Sequence, residues 1–222
     1  SKDHSVFLCS SLLVVVISIV ATLSAVSGIG KGVKILSEWN IVLTVALILF
    51  FLFAGPTQWL VGFFLNSTGD YVTTFLSMGF WTASDAGDVS WQGGWTIFYW
   101  GWWLSWAPFV GMFIARISKG RTIREFMFGA MLVPTTMAFI WISIFGGNAL
   151  FLELNAEAGV GTAGLIDMVN SWNLGGTLFG AIDQLAGGGS LAWVVSALTT
   201  ILLATWFITS SDSGTLVVTT IL

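Results

Sequence analysis

Residues 95–125 read WTIFYWGWWLSWAPFVGMFIARISKGRTIRE, an apolar and aromatic stretch that ends in a basic turn. The aromatic residues recur at spacings of three or four, so on an α-helix they share one face. They are Trp95, Tyr99, Trp102, Trp106, Phe109 and Phe113, with Trp103 beside them. Pro108 has no N–H for the carbonyl of Leu104, and we expect it to interrupt the helix. The stretch predicts a membrane helix with an aromatic wall, a candidate binding site for a cation.

Two interpretations of this wall stay open on physical grounds. Tryptophan gathers at bilayer interfaces and aromatic stripes are commonly packing surfaces, which accounts for Trp95 and Tyr99. Trp102, Trp103 and Trp106 lie further along the span, at hydrocarbon depth, where an interface does not explain them. Aromatic cages are the known device for binding quaternary ammonium groups. Both interpretations, packing and cation binding, therefore stay open for this face.

The composition places the chain in a membrane. Of its 222 residues, 56% are hydrophobic and only 8% are charged, and the mean hydropathy is +0.92. Because a soluble surface is typically about a quarter charged, we predict an all-α polytopic membrane protein with the lipid bilayer as a partner. The single Cys9 and the single His4 exclude a disulfide framework, a cysteine metal cluster and histidine-based catalysis. We expect no enzyme and no cofactor, and the few bases, which lie in two short loops, indicate no nucleic-acid partner.

Five stretches are long enough to cross a bilayer, which needs about 20 apolar residues. We predict one transmembrane unit with spans over residues 5–28, 40–65, 95–117, 123–145 and 191–222, and interfacial segments over about 70–90 and 165–185. Gly55 and Pro56 indicate a local kink in the second span, and Pro134 a kink in the fourth. The chain begins SKDH, without an initiator Met, so we expect an internal piece of a longer protein.

The distribution of charge sets the orientation of these spans. Six of the seven basic residues lie in the connections 28–40 and 116–124. The connections 66–94 and 146–190 hold acidic residues and no base. The positive-inside rule then places the two basic loops in the cytoplasm and the two acidic connections outside.

Residues 205–214, TWFITSSDSG, bring hydroxyls and a carboxylate into the last span. A lone acid at the bilayer centre costs about 2.5–3.5 kcal/mol, so Asp212 should face protein or a water-filled cavity unless it simply lies near the cytoplasmic end. Hydroxyl and carbonyl oxygens are hard ligands, suited to Na⁺ or to proton handling. For Ser211 and Ser213 we favour hydroxyls that bond back to the preceding turn. For Thr209 and Ser210 both interpretations stay open.

Three stretches together resemble the betaine/carnitine/choline transporter family. They are residues 21–37, ATLSAVSGIGKGVKILS, residues 98–126, FYWGWWLSWAPFVGMFIARISKGRTIREF, and residues 207–214, FITSSDSG, in the order of the family. The resemblance covers nearly the whole chain. It implies part of a leucine-transporter-like inverted-repeat helical fold, in which this chain supplies about the sixth to the tenth transmembrane helices.

The resemblance also assigns the binding residues. In the family a tryptophan box encloses the trimethylammonium group by cation–π contacts, and an earlier helix supplies its remaining wall. Trp102, Trp103 and Trp106 match members of the box, and Phe113 matches an aromatic residue on its cytoplasmic side.

In sodium-coupled members of the family, a Na⁺ lies between the third and the tenth helix. Thr209 and Ser210 match its hydroxyl ligands, and Trp206 stands where a backbone carbonyl ligand is expected, although its side chain departs from the usual phenylalanine. Phe109 matches a residue near a second proposed sodium. Asp212 is an intramembrane acid and a candidate for a role in coupling.

The resemblance implies a symporter of the bacterial cytoplasmic membrane that imports a quaternary ammonium osmolyte together with Na⁺. The expected substrate is glycine betaine, choline or a sulfonium analogue. Sodium-independent carnitine exchangers have methionine after the Phe109 position and tyrosine at the Trp106 position, so Val110 and Trp106 of this chain favour symport. The alternatives are a proton-coupled choline-type symporter and a non-transporting membrane subunit or receptor whose tryptophans only pack. A homotrimer is a further expectation.

Overall fold

The protein is built from helices throughout the part that the structure describes. The structure is a computed structural model and describes residues 2–27, 34–156 and 164–221, and no strand occurs in these ranges, which confirms the all-α class. The helices are α1 (Lys2–Ser27), α2 (Lys34–Ala54), α3 (Thr57–Gly79), α4 (Ala86–Gln92), α5 (Phe98–Ile117), α6 (Ile123–Met127), α7 (Val133–Trp141), α8 (Gly147–Leu154), α9 (Leu165–Asn170), α10 (Leu174–Ala186) and α11 (Gly189–Ile221). Residues 28–33 of the predicted basic loop and 157–163 of the last connection lie outside the described residues.

Three of the described helical stretches are long and apolar enough to cross a membrane: Lys34–Ala54, Ile123–Leu154 and Gly189–Thr219. Within α1, Val14–Ser24 is a shorter apolar stretch. These helices agree with the predicted polytopic membrane class. The order of five spans stays a prediction, since length and apolar composition identify three spanning helices among the described residues.

The chain turns at Gly55 and Pro56, where α2 ends and α3 begins. The hydroxyl of Thr57 donates to the carbonyl of Leu52 at 2.7 Å and so satisfies one of the last carbonyls of α2. The predicted span 40–65 is therefore divided into two helices rather than kinked. The predicted interfacial segment 70–90 is also divided, because α3 runs on to Gly79 and α4 begins only at Ala86.

The aromatic helix α5 is continuous with the short helix before it. A π-helical turn, Gly93–Ile97, joins α4 to α5 without a loop. Pro108 lies inside α5, which runs unbroken from Phe98 to Ile117, so the expected interruption is wrong. Proline removes one hydrogen bond, and the bonds of the turns on either side keep the helix together.

The helices α6, α7 and α8 form one run, joined by the π-helical turns Phe128–Leu132 and Ile142–Gly146. A capping box starts this run. Thr122 Oγ1 accepts from the Glu125 N–H at 3.3 Å, and the Glu125 carboxylate accepts from the Thr122 N–H at 2.9 Å. Pro134 is the second residue after the π-helical turn Phe128–Leu132. A widened turn accommodates a proline ring more readily than a regular one. The run extends beyond the predicted span 123–145.

The predicted interfacial segment 165–185 consists of two helices, α9 and α10. Trp172 lies between them with a positive φ of 61°, and the Asn173 side chain caps α10 by accepting from the Gly176 N–H at 3.0 Å. The Glu153 carboxylate accepts from the N–H groups of Gly164 and Leu165 at 3.0 and 2.9 Å. These bonds hold the start of α9 against the end of α8.

The long helix α11 is the centre of the packing, with α1, α2, α5 and α10 against it. The core lies where α2, the π-helical turn Ile142–Gly146, α10 and α11 meet. It consists mainly of Leu47, Ile48, Phe51, Ile144, Ile182, Val195 and Leu202, all of them buried. The backbone of α11 stays helical through residues 205–214. The direction of each polar side chain there is therefore set by its position on the helix.

A buried amide fastens the turn at Gly55 to the run that ends in α8. Asn148 is fully buried, and its Nδ2 donates to the carbonyls of Phe51 at 3.0 Å and Ile144 at 2.7 Å. The same Phe51 carbonyl accepts the N–H of Gly55 at 3.2 Å. A Cβ on Gly55 would overlap Oδ1 of Asn148. Gly55 is thus required by close packing against the amide.

We predict that Asn148→Ala and Gly55→Ala each destabilise the protein by about 1–3 kcal/mol, because one removes two buried hydrogen bonds to backbone carbonyls and the other forces a methyl group against Asn148 and the Phe51 carbonyl. The double variant should lose less than the sum, since removing the amide takes away the closer of the two groups that the new methyl would overlap. Thermal unfolding of the purified protein in detergent measures both effects. Gly62→Ala is the matched control, because a Cβ there meets open space. Strict additivity of the two changes would contradict the contact.

Candidate functional site

The aromatic residues of α5 form two groups of ring contacts. Phe98 stacks near Trp102 with ring centroids 6.4 Å apart, and Trp102 lies 6.1 Å from Trp103. Further along, Trp106 meets Phe109 edge to face at 5.4 Å. The predicted face therefore carries two groups of contacting rings, one before and one after the turn between Trp103 and Trp106.

This surface is not covered by the described part of the chain. No residue of α5 is buried, and the exposed fractions of Trp102, Trp103 and Trp106 are 45%, 59% and 45%. Together with Val110 these tryptophans line a cavity of about 220 Å³ whose lining is wholly apolar. Packing within the described residues thus does not account for the three indoles.

A second cavity joins the aromatic face to the polar stretch of α11. It has a volume of about 460 Å³ and is lined by Ser37, Trp106, Phe109, Val110, Phe113, Thr209, Ser210, Ser213 and Gly214. We call it the α5–α11 groove. Trp106 and Val110 line both cavities, so the groove adjoins the tryptophan cavity. The fold brings together candidate residues that lie about a hundred positions apart in the sequence.

Thr209, which lines the groove, lies beside the Trp206 carbonyl, so two of the predicted ion ligands are neighbours. Thr209 Oγ1 lies 3.0 Å from the carbonyl oxygen of Trp206 and 3.1 Å from that of Thr205, and donates back to this turn. The indole of Trp206 packs on Trp141, with ring centroids 5.2 Å apart, so only the backbone of Trp206 is directed to the oxygen cluster. Ser210 is exposed and lines the groove beside Thr209.

The donor set of this cluster indicates which ions it suits. Among the described residues, no group of three His, Cys, Asp or Glu side chains lies close enough to hold a metal ion. The cluster offers neutral hydroxyl and carbonyl oxygens, which are hard ligands without net charge. Such a set suits an alkali cation such as Na⁺ better than a transition metal, which prefers nitrogen and sulfur.

Asp212 lies on a different side of α11 from Ser210. It is buried, with 4% of its surface exposed, and Ser24 Oγ of α1 donates to its Oδ2. Its Oδ1 has no hydrogen-bond partner among the described residues. Asp212 faces protein, as its cost in a membrane requires, and it is not among the residues that line the groove.

The other two serines differ from each other. Ser213 Oγ donates to the carbonyl of Thr209 at 2.9 Å, the bond back to the preceding turn that we favoured. Ser211 is exposed. Its carbonyl accepts from Thr215 Oγ1 at 2.9 Å.

Sequence reasoning missed two groove residues. Ser37 reaches the groove from the start of α2, and Gly214 lies under the ring of Phe109, where a Cβ would be 3.8 Å from the ring. Both lie inside stretches that resemble the transporter family, but nothing in their residue types indicates which way they face. A further cavity, of about 440 Å³ between Phe51, Phe145, Leu165 and α10, is almost wholly apolar, and none of the predicted site residues lines it.

Comparison with known proteins gives consistent relatives. A family model for betaine/carnitine/choline family transporters (BCCT) matches residues 4–222. The glycine betaine transporter OpuD of Bacillus subtilis (strain 168) is 42% identical over 95% of this chain and 39% of its own length. The ectoine/glycine betaine/proline transporter EctP of Corynebacterium glutamicum is 39% identical over 93% of this chain and 32% of its own length.

A high-affinity choline transport protein of Escherichia coli (strain K12) is 37% identical over 90% of this chain and 28% of its own length. The chain thus spans less than two fifths of the length of each of these relatives. Because the family model covers almost every residue, the chain belongs to the betaine/carnitine/choline transporter family.

Proposed function

We propose that the protein imports a quaternary ammonium osmolyte, glycine betaine before choline, by symport with Na⁺ across the bacterial cytoplasmic membrane. The α5–α11 groove carries this proposal, because it places an aromatic wall beside a cluster of neutral oxygens. The identity to a glycine betaine transporter and to a choline transport protein supports the substrate class. The loops 28–40 and 116–124 lie in the cytoplasm in this proposal, and assembly as a homotrimer stays a prediction.

The onium group binds against the exposed indoles of Trp102, Trp103 and Trp106. Each cation–π contact contributes about 0.5–2 kcal/mol, more where water is excluded. Trimethylated nitrogen suits this surface, since it has no N–H to leave without an acceptor and presents methyl groups to the rings. Phe113, at the far end of the groove, extends the aromatic wall along the path of the substrate.

The ion binds where Thr209, Ser210 and the Trp206 carbonyl converge. The driving ion and the substrate then share one groove between two helices. An ion that binds better when α5 and α11 are close together shifts the population toward the state that also holds the substrate. This differential affinity is the physical basis of symport, and no covalent chemistry is required.

Two other functions make different demands on the same residues. A proton-coupled choline-type symporter would use an acid for coupling, and the buried Asp212, which does not line the groove, is the candidate. A non-transporting subunit or receptor would need the tryptophans only for packing. Trp102, Trp103 and Trp106 are exposed within the described residues, so the uptake measurements on the Trp106 variants separate this alternative from ligand binding.

We expect an inward Na⁺ gradient to drive accumulation of radiolabelled betaine into proteoliposomes that contain the full-length protein. An inward H⁺ gradient alone should leave uptake at the level without a gradient. Empty liposomes give the background, and the ionophore that dissipates each gradient is the control. Uptake that follows H⁺ and ignores Na⁺ would replace the sodium proposal by the proton-coupled alternative.

For the aromatic wall we predict that Trp106→Leu raises the betaine concentration for half-maximal uptake by roughly 5- to 30-fold, which corresponds to the loss of about 1–2 kcal/mol. Trp106→Phe keeps a ring and should recover part of this affinity. Trp100→Leu is the matched control, because Trp100 is an exposed indole of the same helix that lines neither cavity. Unchanged half-saturation in Trp106→Leu would remove the box from the proposal.

For the ion cluster we predict that Thr209→Val combined with Ser210→Ala raises the Na⁺ concentration for half-maximal uptake at least about tenfold. The two lost ligand hydroxyls then correspond to about 1.4 kcal/mol or more of Na⁺ binding free energy. The measurement is betaine uptake against Na⁺ concentration. Thr200→Val serves as control, since its exposed hydroxyl on the same helix only bonds back to the carbonyl of Ser196 at 2.8 Å. A sodium curve like that of the parent protein would place the ion elsewhere.

A further inference from the structure

Asn40 is a buried amide of α2 that reaches the ion cluster from outside the groove. Only 6% of its surface is exposed, and its Nδ2 lies 3.4 Å from Thr209 Oγ1, a long hydrogen bond. Its Oδ1 is buried and has no hydrogen-bond partner among the described residues. Within the described chain, the bond to Thr209 is therefore the one polar contact that this side chain makes.

The hydroxyl of Thr209 can make only a limited number of hydrogen bonds or contacts with an ion. A threonine hydroxyl carries one proton and two acceptor lone pairs. The proton is directed back to the carbonyls of Thr205 and Trp206, and one lone pair accepts from Asn40. One lone pair remains, and Thr209 lines the groove. The direction of the Asn40 bond thus fixes the direction of the lone pair left for an ion.

We propose that Asn40 is a positioning residue of the ion cluster, which orients the Thr209 hydroxyl toward the groove and so ties α2 to ion binding. This inference rests on the proposed sodium symport. Ser37, one turn earlier on α2, lines the same groove, so this end of α2 faces the cluster. The bond between Ser24 and Asp212 holds α11 to α1 one turn further along and is independent of Asn40.

The fold gains little from this amide, because its one polar contact in the described chain is a long hydrogen bond of 3.4 Å and its buried Oδ1 has no partner there. Asn148 differs from it in making two hydrogen bonds to backbone carbonyls, and Thr209 keeps its bonds to its own turn when Asn40 is replaced. Leucine has the branched shape of asparagine without its polar atoms. Asn40→Leu should therefore keep the fold, while it removes the bond that orients Thr209.

The test is betaine uptake by the full-length protein in proteoliposomes, measured against Na⁺ concentration and, at saturating Na⁺, against betaine concentration. Asn40→Leu and Asn40→Ala should raise the Na⁺ concentration for half-maximal uptake about tenfold, the lower end of what outer-shell partners contribute at metal sites. The half-saturation for betaine at saturating Na⁺ should change less than about twofold. Thr44→Val is the matched control, because Thr44 is also buried on α2, one turn beyond Asn40.

A double-variant cycle shows whether Asn40 acts through Thr209. In the Thr209→Val protein, which keeps the shape but lacks the hydroxyl, Asn40→Leu should cause no further shift in the Na⁺ requirement. Equal shifts with and without the hydroxyl would overturn the inference. So would a loss of thermal stability in Asn40→Leu that is larger than in Thr44→Val, since that result assigns Asn40 to the fold.

The outcomes also separate this inference from the proposed function. If uptake by the parent protein does not depend on Na⁺, the sodium symport fails and the role of Asn40 fails with it. If Thr209→Val shifts the sodium curve while Asn40→Leu leaves it unchanged, only the role of Asn40 is overturned.

Discussion

The close approach of α5 to α11 is the contact on which the candidate site depends. The ring of Phe109 lies over Gly214, where a Cβ would meet the ring at 3.8 Å, an ordinary van der Waals contact, so a side chain larger than that of alanine would hold the two helices apart. Because they meet there, Trp106 and Phe113 of one helix and Thr209 and Ser210 of the other line a single groove. Neither half of the site has the means to couple two ligands alone. A small residue at position 214 therefore allows the two helices to come close.

The cost of polar groups in a membrane explains how the rest of α11 is arranged. Its hydroxyls return their protons to the preceding turn, as Thr199, Thr205 and Ser213 do. Asp212 accepts a hydrogen bond from Ser24 of a neighbouring helix, and Thr209, which also donates to its own turn, accepts one from Asn40. A polar stretch in an apolar helix is thus divided by direction into a part that holds helices together and a part that lines a cavity.

The aromatic wall follows the opposite logic, since it is left uncovered. Tryptophan adds a large rigid apolar surface with little loss of side-chain freedom, which suits a surface that must receive a ligand or another helix. The continuity of α4, the π-helical turn and α5 keeps these rings in fixed register. Pro108 does not disturb this register, so the binding surface lies on an unbroken helix and not at a hinge.

The sequence by itself determined the class of the protein and the candidate members of its site. Composition required a membrane, spacing put the aromatic residues on one helix face, and the stretches 98–126 and 207–214 identified the family. The tertiary structure alone decided which candidates meet: Thr209 and Ser210 line the groove, whereas Asp212 faces α1 and the indole of Trp206 packs on Trp141. It also brought Asn40, Ser37 and Gly214 to the candidate site. The physical reason is that periodicity gives the direction of a side chain only relative to its own helix, while the partner it meets depends on how helices distant in the sequence pack.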